Sequence, residues 1–386
     1  MLGIFIYFVI MVSFIDTMFQ LPILAPYVLS LGASSIMVGL VMGSYSLVNM
    51  LGNLGAGLII DRYGRKIAIW GGMLAAGLAV AFYSAVVYPI QLLGLRIIHG
   101  LAGAILVPAV FTYLGDRTVK GSTGKAMGYS GAAVGLAALV GPMYAGIGKD
   151  VFGVRPVFLS IGLLLAATSI LVKVFLPESH LPKDTAKGIS FKEVEKLIKY
   201  PQLQMAYLAA FALTFSLGVV AYSLPITLEL LGFTGRAVGM FFSVFSFVAI
   251  LVFILPSNRI SDYYNRFIPI GAGLIISAAA MVFLAVGNSH LNFAFGMGIY
   301  GLGFGLIFPA MNAIIIDQTE KYYRGTAFGV FYAVFSLGVF SGPLAAGVAR
   351  QLGWQAFYEA AAVLMVMFAL CLYLHRKAAT YGWKNQ

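Results

Sequence analysis

Apolar residues fall into twelve stretches along this chain, bracketed roughly at 3–30, 35–60, 67–88, 90–115, 126–148, 155–176, 202–231, 236–258, 267–287, 291–316, 325–349 and 355–375. At 1.5 Å per residue each is long enough for a helix to cross a hydrocarbon core of ~30 Å. The pattern therefore predicts an all-α membrane protein with twelve transmembrane helices, six in each half. The polar stretch from Pro177 to Gln202 divides the chain into an N-terminal six-helix bundle (1–176), a linker (177–201) and a C-terminal six-helix bundle with a short tail (202–386). Within the linker, Ser190-Phe191-Lys192-Glu193 resembles a capping box. Phe191, Val194, Leu197 and Ile198 then share one face, as expected of an amphipathic helix on the membrane surface.

The two halves repeat one another. A constant offset of 201 residues pairs Pro108 with Pro309, Asp116 with Asp317, Gly124 with Gly325, Gly128 with Gly329 and Gly141-Pro142 with Gly342-Pro343. Parallel repeats of this kind build rocking-bundle transporters, whose substrate site lies at the repeat interface.

Composition agrees with a chain solvated by lipid: 61% of residues are hydrophobic and only 10% charged, outside the range of soluble domains. The net charge of +11 has a specific distribution. Even-numbered connections and the C-terminal tail hold 19 of the 24 Lys and Arg, including Arg62, Arg65, Lys66, Arg117, Lys120 and Lys125; the opposite side has Lys149, Arg155, Arg236 and Arg350. By the Lys/Arg bias of short loops, both termini are expected in the cytoplasm and the chain in the cell membrane. Charge divided among short loops argues for topology rather than nucleic-acid binding. The first apolar run starts without a basic leader, so no cleavable signal is expected. The single Cys371 excludes an intrachain disulfide framework and is expected to be an inert core thiol.

The loop after the second run reads Gly57-Leu58-Ile59-Ile60-Asp61-Arg62-Tyr63-Gly64-Arg65-Lys66. Its glycines permit a tight turn, and its charges can engage a neighbouring helix terminus. The run resembles the signature loop of the major facilitator superfamily, Gly-x-x-x-Asp-Arg-x-Gly-Arg-Lys. That resemblance implies a cytoplasmic latch of Asp61, Arg65 and Asp116, with Gly57, Arg62 and Gly64 shaping the loop and Asp262, Arg266 and Asp317 as repeat mates. The second copy lacks both glycines and the middle arginine.

The fifth run carries Ala133, Ala137, Gly141 and Ala145 at four-residue spacing, a stripe that permits close helix approach, and Pro142, which removes a backbone hydrogen bond and is expected to bend the helix. Gly141-Pro142 with trailing small residues resembles the signature of the twelve-span drug:proton antiporter family, with Ala145 where a second glycine is usual. Pro177-Glu178-Ser179 ends the sixth run as in many members.

Charges inside apolar spans cost ~2.5–3.5 kcal/mol on insertion scales and usually have a partner or a task. Asp16 in the first run and Arg96 in the fourth lie at similar depths, so a movable Arg96 is expected to switch Asp16 between proton-holding and proton-releasing states. His99, one turn from Arg96, is a further candidate for proton coupling. Arg96-Ile97-Ile98-His99-Gly100 resembles the family's fourth-span signature, whose arginine is implicated in proton coupling. Here His99 replaces the usual glutamine, as either a titrating site or a hydrogen-bonding one. The first run also resembles that of the vesicular amine transporters, where the aspartate is tied to cationic substrates; a structural ion pair is the alternative role for Asp16. Gln20, Asn49, Asn53, Tyr222, Asn312, Tyr332 and Ser336 either line a central cavity, together with Asp16, or hydrogen-bond neighbouring helices.

No P-loop, Cys/His metal spacing or Gly-x-Ser-x-Gly motif is present. An enzyme is not expected, nor a cofactor; the energy source is an ion gradient or there is none. The expectation is a monomeric, proton-coupled antiporter that exports lipophilic, cationic small molecules. The alternatives are a dedicated exporter or flippase of one metabolite or lipid, or a transporter-like sensor without turnover.

Overall fold

The computed structural model describes residues 2–118, 123–179, 195, 197–254, 266–319 and 324–380. Its principal elements are α1 (Leu2–Met18), α2 (Leu24–Ser30), α3 (Ser35–Tyr63), α4 (Arg65–Tyr83), α5 (Pro89–Arg117), α6 (Thr123–Phe152), α7 (Val154–Phe175), α8 (Pro201–Leu230), α9 (Gly235–Ile254), α10 (Phe267–Ala285), α11 (His290–Asp317), α12 (Arg324–Gln351) and α13 (Ala356–Thr380). Among the described residues there is no strand. From α3 onward, eleven helices are long and apolar enough to cross a membrane.

The first apolar run departs from the unbroken helix expected over 3–30. It is two helices, α1 and α2, joined by a turn at 19–23. Pro22 has no N–H to offer Met18, and its ring crowds that carbonyl, so the ladder stops. Leu21 N–H bonds Met18 O instead (3.3 Å), a tighter turn, and Leu24 N–H restarts the α pattern on Gln20 O (2.9 Å). The amide of Gln20 donates from Nε2 to Asp16 O at 2.5 Å, satisfying a carbonyl beside the break.

By compactness the chain divides into Met1–Ala186 with Leu224–Ser243, and Lys187–Ser223 with Val244–Gln386. Within the first unit α4 packs on α5 and α7, α3 on α5 and α1 on α6. Gly141 of α6 seats against the break in α1, where a Cβ would come 3.1 Å from Phe19 N. The C-terminal end of α8 and the start of α9 join this unit through polar contacts. Asp150 at the end of α6 accepts the N–H groups of Gly235 (2.8 Å) and Arg236 (2.7 Å), capping α9. Lys149 is ion-paired with Glu229. Ser243 Oγ donates to Leu139 O (2.8 Å), one residue beyond the carbonyl that Pro142 cannot serve. Within the second unit α10 packs on α11 and α13, and Thr214 Oγ1 of α8 donates to Phe335 O of α12 (2.8 Å). Cys371 is buried, as expected.

The expected linker helix lies partly outside the described residues, with Ser190 to Val194 among those not described. Glu195 and Leu197 to Lys199 are helical. Lys199 Nζ reaches Glu195 Oε1 at 2.6 Å; its hydrogen bond and charge hold that exposed carboxyl below the usual carboxylate range.

Candidate functional site

α5 opens with Pro89 at its first position, and Gln91 Oε1 accepts the N–H groups of Val87 (2.9 Å) and Tyr88 (3.1 Å). That start places Arg96 and His99 one turn apart on the face turned to α1 and α3. Both are buried, at 6% and 0% exposure, and so are Asp16 (2%) and Gln20 (4%). Gly100 lets α5 approach α3: a Cβ there would lie 2.6 Å from Tyr45 O.

The hydrogen bonds divide these groups into two pairs. His99 Nε2 lies 2.7 Å from Asp16 Oδ2, so histidine, not arginine, is the carboxylate's direct partner. Arg96 spreads its fork over Gln20 Oε1 (Nη1, 2.6 Å), Val41 O (Nε, 3.1 Å) and Met42 O (Nη2, 2.8 Å), and its Cζ lies 4.9 Å from the Tyr45 ring centre. It therefore clamps α5 to α3 and to the turn after α1, beside Asp16 but hydrogen-bonded elsewhere. Asp16 Oδ1 is buried with no hydrogen-bond partner among the described residues. An unpaired carboxylate oxygen in such a place is costly, and a proton on it or a cation beside it would relieve that cost.

His99 has a second neighbour that sequence reasoning missed. Tyr83 OH, at the end of α4, lies 2.9 Å from His99 Nδ1. Tyr83 O in turn accepts from Tyr27 OH of α2 at 2.6 Å, and Phe158 of α7 packs against the rings of Phe19, Tyr27 and Tyr83. This aromatic layer fixes the α1–α2 break and the Tyr83 hydroxyl together. One tyrosine among 21 carries no mark in the sequence.

Of the polar positions expected to line a cavity or join helices, Asn49 of α3 donates to Gly100 O (3.5 Å) and accepts from Asn53 Nδ2 (2.9 Å); Asn53 is exposed. They stand with Gln20 in the first unit. Tyr222, Asn312, Tyr332 and Ser336 belong to the second. There Tyr222 is buried, Asn312 Nδ2 bonds Phe308 O of its own helix (2.8 Å), Tyr332 is half-exposed among Phe328, Phe331 and Phe335, and Ser336 is partly exposed.

At the far end of α3, Gly64 turns the chain into α4 with φ 92°, a conformation that favours glycine. Arg65 Nε bonds Asp116 Oδ2 at 3.1 Å, joining two of the expected latch residues. Ser179 Oγ donates to the same oxygen at 3.0 Å. Glu178 was not foreseen in this role: its carboxylate accepts the N–H groups of Arg65 and Lys66, both at 3.0 Å, capping α4. A Cβ at residue 64 would lie 2.6 Å from Glu178 Oε2, a second reason for glycine. Gly57 faces open space and Arg62 stacks over Tyr63. The Asp61 side chain and all of Asp262 lie outside the described residues. In the repeat, Arg266 Nη2 and Nε reach Asp317 Oδ2 at 3.1 and 3.2 Å.

A buried carboxylate, imidazole and guanidinium thus stand among paired helices of membrane-spanning length, and the sequence comparison gives the family of the chain that carries them. The family description "Major Facilitator Superfamily" matches residues 6–234 and again 206–386. The chain belongs to that superfamily; it is a multi-pass membrane transporter, not an enzyme. It is 23% identical to an uncharacterised MFS-type transporter of Methanocaldococcus jannaschii over 95% of this chain and 97% of that protein. It is 28% identical to the multi-drug resistance efflux pump PmrA of Streptococcus pneumoniae over 82% of this chain and 80% of that protein. Among solved structures it resembles a bacterial homologue of the human lysosomal transporter Spinster in an inward-facing, occupied conformation. The TM-score is 0.79 at 16% identity, covering 100% of this chain and 98% of that one, and the likeness is one of fold.

Proposed function

We propose that this transporter is a proton-coupled antiporter in the cell membrane, with both termini cytoplasmic, that exports lipophilic, cationic small molecules by alternating access. The observation that carries the reading is Asp16: a carboxylate 2% exposed, bonded on one oxygen to His99 and unpaired on the other. Such a group binds either a proton or an organic cation, and competition between them couples the two fluxes. The similarity to a pump named for multi-drug efflux supports export, and the Lys/Arg distribution supports the orientation. The ion pairs Arg65–Asp116 and Arg266–Asp317 support a cytoplasmic latch. The energy source is the proton gradient, without a cofactor.

The test uses purified protein and tetraphenylphosphonium as the cationic probe. Its binding should release protons and weaken as pH falls, and Asp16→Asn should remove both effects. Equal binding at pH 5.5 and 8.5, or binding of anionic and neutral compounds only, would overturn the reading in favour of a dedicated metabolite or lipid exporter.

A further inference from the structure

The groups facing the Asp16 carboxylate and the His99 ring are Tyr83 from α4, Tyr45 from α3, Arg96 from α5 itself and Gln20 from the turn after α1. Arg96 is engaged by Gln20 and two carbonyls, and the Tyr45 ring lies edge-on to His99 at 4.8 Å. Among the described residues only Tyr83 places a hydroxyl on the imidazole, at the nitrogen that Asp16 does not use. We propose that Tyr83 is the positioning residue of the coupling site, and that Tyr83, His99 and Asp16 form one proton-holding relay. This inference rests on the proton-coupling reading above.

The relay follows from donor and acceptor inventories. A phenolic hydroxyl both donates and accepts, a neutral imidazole does one at each nitrogen, and an ionised carboxylate only accepts. With Asp16 ionised, Nε2 must carry the hydrogen that bonds Oδ2. Nδ1 is then bare and accepts from Tyr83 O–H. A hydronium ion gives up one O–H proton to Nδ1 and leaves as water; the Tyr83 hydrogen rotates away and its oxygen becomes the acceptor. The net change is one N–H bond formed at Nδ1, with no heavy atom displaced and one unit of positive charge gained. In either state the hydroxyl lies 2.9 Å from Nδ1, so Tyr83 keeps the ring turned with Nε2 on Asp16. Removing the hydroxyl should therefore leave Nδ1 without that partner.

Nitrogen-15 NMR of histidine-labelled, detergent-solubilised full-length protein tests this without a known substrate, with His99→Gln assigning the signal. At high pH the parent should show Nε2 protonated and Nδ1 bare. Tyr83→Phe should move the Nδ1 resonance downfield, the direction expected when an unprotonated imidazole nitrogen loses its hydrogen-bond donor. An unchanged Nδ1 resonance, an upfield shift, or a parent protonated at Nδ1 when the ring is neutral would overturn the relay. Should Tyr83→Phe fail to fold, the parent decides: its Nδ1 resonance should be that of a hydrogen-bonded acceptor, and the position of a free imidazole nitrogen would overturn the relay. The two readings fail separately: if Asp16→Asn still accumulates tetraphenylphosphonium against a gradient, proton coupling at Asp16 is wrong. If that accumulation is lost while the Nδ1 resonance of Tyr83→Phe matches the parent's, only the relay is.

Discussion

His99 in α5 and Tyr300 in α11 stand 201 residues apart and occupy equivalent places in the two halves. His99 bonds Asp16 of α1 at 2.7 Å and meets the Tyr45 ring at 4.8 Å; Tyr300 bonds Ser216 of α8 at 2.9 Å and meets the Phe245 ring at 5.1 Å. Gly100 and Gly301 let each helix approach the carbonyl of that ring's residue, Tyr45 or Phe245. At the Arg96 position the second half has Met297, fully buried. The helix contact is the same, and the charge is gone. Packing of this kind therefore does not require Asp16, His99 and Arg96, since a Ser, a Tyr and a Met accomplish it without burying an ion. What the first half retains beyond packing is a set of ionisable groups, as the proposed proton coupling requires.

The comparison breaks most readily at Asp16. Asp16→Asn keeps the shape and removes the ionisable group, so the variant should fold like the parent and lose gradient-driven accumulation of tetraphenylphosphonium in vesicles entirely. Accumulation equal to the parent's would mean that the charge asymmetry between the halves has nothing to do with coupling.

The converse substitution should be the most damaging to stability. Ser216→Asp would place a carboxylate beside Tyr300, with no cation bonded to that tyrosine among the described residues, at a cost of ~3–5 kcal/mol, the usual size for an uncompensated buried charge. Adding Tyr300→His should recover part of it, a coupling of roughly 0.5–3 kcal/mol for residues in direct contact. Equilibrium unfolding in detergent would measure both. A Ser216→Asp variant as stable as the parent would show that the second half tolerates charge and that the comparison is fortuitous.

Arg96→Lys comes next. A lysine carries the charge but not the planar fork that serves Gln20, Val41 O and Met42 O together. Transport should fall several-fold without being abolished, with a smaller loss of stability, roughly 1–3 kcal/mol for acceptors left unpaired. Full activity in the lysine variant would reduce Arg96 to a point charge.

Much of this was legible in the sequence because a membrane imposes simple rules. A spanning helix is read from the length of an apolar run, and a charge within one stands out. Asp16, Arg96 and His99 were visible for that reason. Which of the two basic side chains meets Asp16 was not visible, since Arg96 and His99 share a helix face one turn apart; the Gln20 amide and the Tyr45 ring, which hold Arg96 aside, decide it. The break after α1 was hidden because Pro22 fits a kinked span as well as a broken one. Tyr83 and Glu178 escaped because a tyrosine and a carboxylate near helix ends have no spacing that reveals their partners.

The smallest effects should come from the region where the halves are alike. Arg65–Asp116 and Arg266–Asp317 have the same sequence separation and the same 3.1 Å contact, but not the same surroundings. Arg65 is 8% exposed, shares Asp116 with Ser179 and sits on a helix start capped by Glu178; Arg266 and Asp317 are 25% and 45% exposed. An exposed pair in high dielectric is worth ~0.2–1 kcal/mol and is screened by salt, while a partly buried, hydrogen-bonded one keeps more of its attraction. Asp116→Asn should therefore destabilise more than Asp317→Asn, by about 1 kcal/mol against a few tenths. Raising salt should erase the second effect before the first. Thermal unfolding of both variants at low and high salt would measure this, and equal losses with equal salt sensitivity would show that the strap through Glu178 and Ser179 adds nothing to the first pair.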